Sequence, residues 1–250
     1  GDVVWTSPNS FAASANCALY CGATIDFVDI NSFSRNLCPV LLEQKLVQAK
    51  KNKTLPKAIV VVHFAGSSCD MQTIQALCKP LNIAIIEDAA HGLGATHKGS
   101  PIGSCEYSDL AVLSFHPVKS ITTAEGGAIT TNSTELAKKC KLFSSHGITK
   151  DSKQMVGEHH GAWYYQQLCL GYNYRMSDLH AALGLSQLTK IESFMASRRE
   201  LAASYMKKLA GLPIKLPSDN LLEESSWHLF MIEENLDECS VQWFTFRINK

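Results

Sequence analysis

The sequence predicts an α/β fold, a mostly parallel sheet with helices on both faces. Two observations carry this expectation. Short runs rich in β-branched residues, at 25–28, 58–63 and 83–87, alternate with segments of helical period at 11–20, 40–50 and 71–81, the order of successive strand–helix–strand units. Those runs are also nearly continuously apolar, as strands become when both sides are covered.

Residues 3–5 read as the first strand, and Ser7-Pro8-Asn9-Ser10 supplies turn and N-cap chemistry ahead of the helix at 11–20. Beyond the glycine-rich stretch that follows 83–87, strands are expected at 109–114 and 127–131 and a helix at 134–143. Residues 144–174 form a charged, aromatic-bearing loop too long for an ordinary connection, which marks it as functional or as a subunit contact. Residues 177–209 read as one long helix or two abutting ones, with Leu179, Leu183, Leu188, Ile191 and Met195 near helical spacing. Gly211-Leu212-Pro213 ends that helix, and a further strand begins at Trp227. The division expected is a large domain at 1–190, then a connecting helix and the start of a smaller domain at 191–250.

Composition removes several function classes. Lys and Arg number 23 against 23 Asp and Glu, so the basic excess that a nucleic-acid groove needs is missing. The dense basic stretch at 50–57 reads as a solvated helix end. Nine cysteines (17, 21, 38, 69, 78, 105, 140, 169 and 239) without a C-x-x-C pair indicate neither a disulfide framework nor a zinc ribbon. The longest apolar stretches, such as 58–62, fall short of the roughly 20 residues that span a bilayer. With no secretory leader and a start at Gly1, the expectation is a soluble, cytoplasmic excerpt of a longer protein that binds neither membrane nor nucleic acid.

The chemistry concentrates at two strand ends. The strand at 83–87 delivers Asp88, followed by Ala89-Ala90-His91-Gly92-Leu93-Gly94. Ligands of open parallel sheets sit outside the carboxyl ends of strands, which is where Asp88 and His91 fall. Gly92-x-Gly94-x-x-His97 approaches the dinucleotide fingerprint, but its last position is histidine and it starts beyond the acid, a weak signal for nicotinamide. The next strand ends in Ser114-Phe115-His116-Pro117-Val118-Lys119, with Glu125-Gly126-Gly127 beyond. A lysine at such a strand end is a candidate for imine chemistry, because partial desolvation frees the amine's lone pair. In isolation most such lysines are solvated loop residues; Asp88 and Ser114 shift that balance.

Three stretches in order, 87–91, 114–119 with 124–127, and 171–178, resemble the pyridoxal-phosphate-dependent nucleotide-sugar aminotransferases of the DegT/DnrJ/StrS group over essentially the whole chain. Ser145-His146-Gly147-Ile148-Thr149, Trp163-Tyr164-Tyr165 and Leu170-Gly171-Tyr172-Asn173 look most like the branch on the route to pseudaminic acid. The resemblance implies an aspartate-aminotransferase type I fold, with 1–190 as the cofactor-binding domain lacking its first part. It implies pyridoxal 5′-phosphate as cofactor, with L-glutamate and a UDP-linked 4-keto-6-deoxy-N-acetylhexosamine as substrates.

Position by position, Lys119 matches the lysine that binds the cofactor covalently and Asp88 the acid on its pyridine nitrogen. Phe11 matches the aromatic on one ring face, Ala90 the small residue on the other, His91 the side chain near the ring hydroxyl and Ser114 a phosphate donor. Core packing is the plain alternative for Phe11 and Ala90, a buried satisfied histidine for His91 and a strand-end turn for Ser114. Asn173 matches a residue that reaches the neighbouring subunit's phosphate, which implies a homodimer; by itself it reads as turn chemistry.

Arg175 suits a carboxylate or diphosphate, or braces its loop. Glu125 touches substrate or makes a structural hydrogen bond. His159 and His160 lack a third ligand for a metal. Cys17 and Cys21, one turn apart, read as core packing. Histidine in place of Lys119 would mark a sugar dehydratase, and a non-catalytic sensor keeping the fold remains open on sequence grounds.

Overall fold

A computed structural model describes residues 1–158, 160–218 and 221–234, and the backbone of 243–247. Along the chain lie β1 (Val3–Thr6), α1 (Ala13–Tyr20), β2 (Thr24–Phe27), α2 (Pro39–Asn52), β3 (Ala58–Val62), α3 (Met71–Cys78) and β4 (Ala84–Asp88). Next come a small hairpin, β5 (Thr96–His97) and β6 (Ser100–Pro101), then β7 (Leu110–Ser114), β8 (Gly127–Thr130) and α4 (Thr134–Ser144). The remainder is β9 (Ile148–Thr149), β10 (Gln166–Gln167), α5 (Asp178–Leu188), α6 (Ile191–Leu209), β11 (Ile214–Lys215), β12 (Leu229–Glu234) and β13 (Trp243–Arg247).

Six strands form the central sheet in the order β2-β1-β3-β4-β7-β8. Every neighbouring pair is parallel except β7 with β8. One face carries the main core, where Trp5, Ile59, Val61 and Ile85 pack with Leu42 and Leu46 of α2 and Met71 and Ile74 of α3. Because successive strand residues point to opposite faces, Glu87 follows Ile85 into this core while Asp88 turns to the other side, where α1 lies.

α2 starts with Pro39 in its first turn and ends at Lys53 in the left-handed conformation, with Lys50 and Lys51 against the negative helix end. The basic stretch is therefore a helix terminus, as expected. α1 departs from expectation: it begins at Ala13, its cap position is Ala12 with no side-chain bond, and Ser10 caps nothing. Cys17 and Cys21 also correct the core-packing reading, since both are exposed; α1 turns Ser14 and Ala18 inward instead. Cys38, Cys69, Cys78 and Cys105 are buried, and Cys239 lies outside the described residues.

The segment 177–209 resolves into two abutting helices, α5 and α6, and Ser177 caps α5 by accepting from the His180 N–H. α5 passes over the lysine loop: a β-carbon on Gly184 would stand 2.7 Å from the Thr123 Cγ2. On its outer side Leu179 is 84% and Leu185 68% exposed. The stretch 144–174 is tied back on itself by the β9–β10 pair and by a bridge between Ser145 and Asn173.

The last described part has its own cluster of Ala202, Met206, Trp227 and Phe230. It docks on the short turn after β3, where the Ser226 N–H donates to the Gly66 carbonyl at 3.1 Å. Gly66 has φ +96°, and a β-carbon there would fall 2.1 Å from the Ser226 Oγ, so only glycine allows this approach. A buried ion pair, Arg35 with Glu233 at 3.2 Å, fastens β12 to the loop after β2. No helix among the described residues is long and apolar enough to cross a membrane.

Candidate active site

β4 and β7 run side by side with Asp88 opposite Val112, and strands so paired lie about 4.8 Å apart. Their carboxyl ends open onto one edge of the sheet. Ala90 and His91 follow from β4, Ser114 and Lys119 from β7, and the chain leaving β1 brings Phe11 and α1 to the same edge.

Asp88 is held at both oxygens. The Ser14 hydroxyl donates to Oδ2 at 2.6 Å, and the Ala90 N–H donates to Oδ1 at 3.1 Å. Each oxygen keeps a lone pair for a further donor. Phe11 stands 76% exposed, which removes core packing as its role. Its carbonyl accepts from the Ser14 N–H at 3.0 Å, so the ring and the Asp88 clamp belong to one turn.

Lys119 is half-buried on a closed loop between β7 and β8. Its N–H donates to the His116 carbonyl at 2.9 Å, and the Thr123 N–H returns to the Phe115 carbonyl at 3.0 Å. Ser120, Ile121 and Thr123 are buried behind it. Ser114 is half-buried at the strand end, and its Oγ accepts from the His116 N–H at 3.5 Å. Glu125 is exposed and 3.9 Å from His116, too long for the structural hydrogen bond considered for it.

His91 stacks on His228, with ring centroids 4.1 Å apart and planes at 28°. The Ser226 Oγ donates to the His91 carbonyl at 2.6 Å. The segment ahead of β12 thus forms a wall of the site, a role for His228 that the sequence left unassigned. Ala90 is half-buried beside Asp88. Asn173 and Arg175 are exposed, and the bonds holding their segment run to the end of α4, including the Tyr174 N–H to the Ser144 carbonyl at 3.0 Å.

The neighbouring carboxylate serves another purpose. Glu87 accepts from His63 Nε2 at 2.8 Å, and His63 Nδ1 accepts the Cys69 N–H at 3.2 Å, an arrangement that puts the ring hydrogen on Nε2. Ser108 donates to the other Glu87 oxygen. Burial pushes the Glu87 carboxyl up, but the His63 hydrogen bond, Ser108 and the Gly103 N–H together hold it below its ordinary value. A depressed carboxyl contributes stability that is complete above the unfolded value near about 4.3 and is lost as pH falls toward the folded one. Glu87→Ala strands the buried His63 ring N–H and the half-buried Ser108 hydroxyl, and a loss of about 3 kcal/mol in urea unfolding at neutral pH is expected. Sequence reading missed both Ser14 and this pair, because a helix-interior serine and a strand-end histidine carry no local signal of a partner many residues away.

The Gly92–His97 stretch is a turn leading into β5 and opens no helix, so it lacks the N-terminus that dinucleotide binding requires. His159 lies outside the described residues, and the His160 ring meets Tyr164 edge-on at 4.9 Å. Among the described residues no group of three or more His, Cys, Asp or Glu could hold a metal ion.

Sheet order, the edge-sited acid and the lysine loop define the fold class of the pyridoxal-phosphate-dependent aminotransferases. The chain belongs to the DegT/DnrJ/EryC1/StrS aminotransferase family, whose model matches residues 1–243. It is 45% identical over 206 residues to a UDP-4-amino-4,6-dideoxy-N-acetyl-beta-L-altrosamine transaminase of Campylobacter jejuni subsp. jejuni serotype O:23/36 (strain 81-176), covering 82% of this chain and 51% of that protein.

Among solved structures, Helicobacter pylori PseC, an aminotransferase of pseudoaminic acid biosynthesis, superposes with TM-score 0.82 at 35% identity, covering 93% of this chain and 58% of PseC. NtdA from Bacillus subtilis, solved with bound cofactor PMP, gives TM-score 0.75 at 33% identity, covering 94% of this chain and 49% of NtdA. The chain therefore spans about half the length of the curated relatives it matches.

Proposed function

We propose that a protein carrying this chain binds pyridoxal 5′-phosphate and transfers the amino group of L-glutamate to the 4-keto carbon of a UDP-linked 4-keto-6-deoxy-N-acetylhexosamine. The observation that carries this reading is the clamped Asp88 on the strand end adjoining the Lys119 loop. The residues fit the cofactor: an acid with both oxygens oriented, an uncovered aromatic one turn away, and a half-buried lysine on the loop after the neighbouring strand.

When bound, the cofactor supplies an electron sink for the pair left on Cα as an amino donor loses its proton. Asp88 would hold the proton on the pyridine nitrogen. Lys119 would hold the carbonyl carbon and, once displaced, move a proton between the two reacting carbons as general base and acid. Phe11 and Ala90 would cover the ring faces and exclude water, His91 would orient the ring oxygen, and Ser114 would donate to the phosphate. Residues 1–190 would then form the cofactor-binding domain and 191–250 the link to a smaller one.

A homodimer is part of the proposal, with Asn173 reaching the partner's cofactor. The exposed leucines of α5 and the exposed Leu170, Tyr172 and Tyr174 beside Asn173 support an apolar contact there. The reduced-cysteine composition suits a cytoplasmic setting. The choice of sugar rests on the transaminase and PseC likenesses.

The test incubates the intact protein with pyridoxal phosphate, glutamate and a panel of UDP- and dTDP-linked 4-keto sugars, scored by mass spectrometry. Conversion of the UDP-linked N-acetylhexosamine to its 4-amino form is expected. Glutamate turnover with no sugar aminated would overturn the substrate, and no glutamate turnover in an intact dimer would favour a sensor.

A further inference from the structure

We propose that Ser14 is a positioning residue, fixing the Asp88 carboxylate and the Phe11 turn to one another so that acid and aromatic meet the same ring. This rests on the functional reading above and adds a residue to it.

Ser14 is buried on the inner face of α1, and its hydroxyl spends its single proton on Asp88 Oδ2 at 2.6 Å. That length lies within the ordinary range for a hydroxyl donor. Its backbone N–H bonds the Phe11 carbonyl at 3.0 Å. One residue thus joins, through two short bonds, the group expected at the ring nitrogen and the group expected on the ring face.

α1 needs such an anchor. Among its described residues only Ser14 and Ala18 are buried, and both are small. The apolar grip of the helix on the sheet is therefore slight, and its cap residue, Ala12, contributes no side-chain bond. The Ser14–Asp88 bond sets where the first turn of α1 sits on the sheet edge. The same bond selects the Asp88 rotamer together with the Ala90 N–H, leaving lone pairs on both oxygens for a ring N–H.

The experiment compares the intact protein with S14A, S14V and S14T, the last two matched in shape and differing by one hydroxyl. Two readouts are independent of turnover: the dissociation constant for pyridoxal phosphate, and the 15N chemical shift of cofactor labelled at the ring nitrogen, which reports protonation. S14A and S14V are expected to weaken cofactor binding about tenfold, the scale of one hydrogen bond to a charged group, and to move the ring signal toward its unprotonated position. S14T is expected to keep both readouts within about twofold. Wild-type binding and an unshifted ring signal in S14A and S14V would overturn the proposal, as would S14T behaving like S14V. Failure of the unsubstituted protein to bind cofactor would overturn the functional reading itself, and this inference with it.

Discussion

Lys119→Ala in the intact protein is expected to lower the rate of the glutamate half-reaction by at least about 1,000-fold, the range of a positioned acid–base group. On the proposed function two roles would leave together, the covalent hold on the cofactor's carbonyl carbon and the mobile proton carrier. Nothing nearby replaces them: His116 shares the loop but stands exposed, facing Glu125. The loop itself survives, because the Lys119 N–H to His116 and the Thr123 N–H to Phe115 bonds are main-chain. Circular dichroism should therefore be unchanged, and added methylamine should restore part of the proton transfer. Stopped-flow absorbance with glutamate checks this; a variant within about tenfold of wild type would remove Lys119 from the chemistry.

Asp88→Asn is expected to cost at least about 100-fold in the same half-reaction, since on the proposed function a preorganised charge at the ring nitrogen would be lost. The amide keeps the volume and can still accept from Ser14, so folding should persist. It cannot hold a proton on the nitrogen, and the 15N ring signal should move to its unprotonated position. Asp88→Glu retains the charge but pushes it one methylene beyond the Ser14 and Ala90 donors, so an intermediate rate is expected. The Asn variant should still accept a borohydride-stable label on Lys119, which separates the two residues' roles.

The sheet was legible because its strands are short, nearly continuous apolar runs: residues 59–62 are all buried, and Ala111 and Leu113 are buried in Leu110–Ser114. The edge placement of Asp88 and Lys119 was legible for the same reason, since Asp88 ends one such run and Lys119 lies on the loop that leaves the next. What was not legible depends on partners distant in sequence. Ser10 offers a cap that α1 does not take, while Ser14 turns to an acid 74 residues away. Cys17 and Cys21 have core-like chemistry, yet the inward face of α1 is the one carrying Ser14 and Ala18. Glu87 and Asp88 are adjacent acids, and only the pleat shows that one enters the His63 core while the other faces the site. The long loop gave no sign of the Ser145–Asn173 bridge because that pairing is made by main chain.

The central claim is that Asp88 and Lys119 grip opposite ends of one pyridine ring. Borohydride reduction of the cofactor-loaded intact protein, followed by proteolysis and mass spectrometry, tests it most directly. The account predicts a single pyridoxyl group, on Lys119. A label on any other lysine, or cofactor that binds without being fixed to the chain, would contradict it.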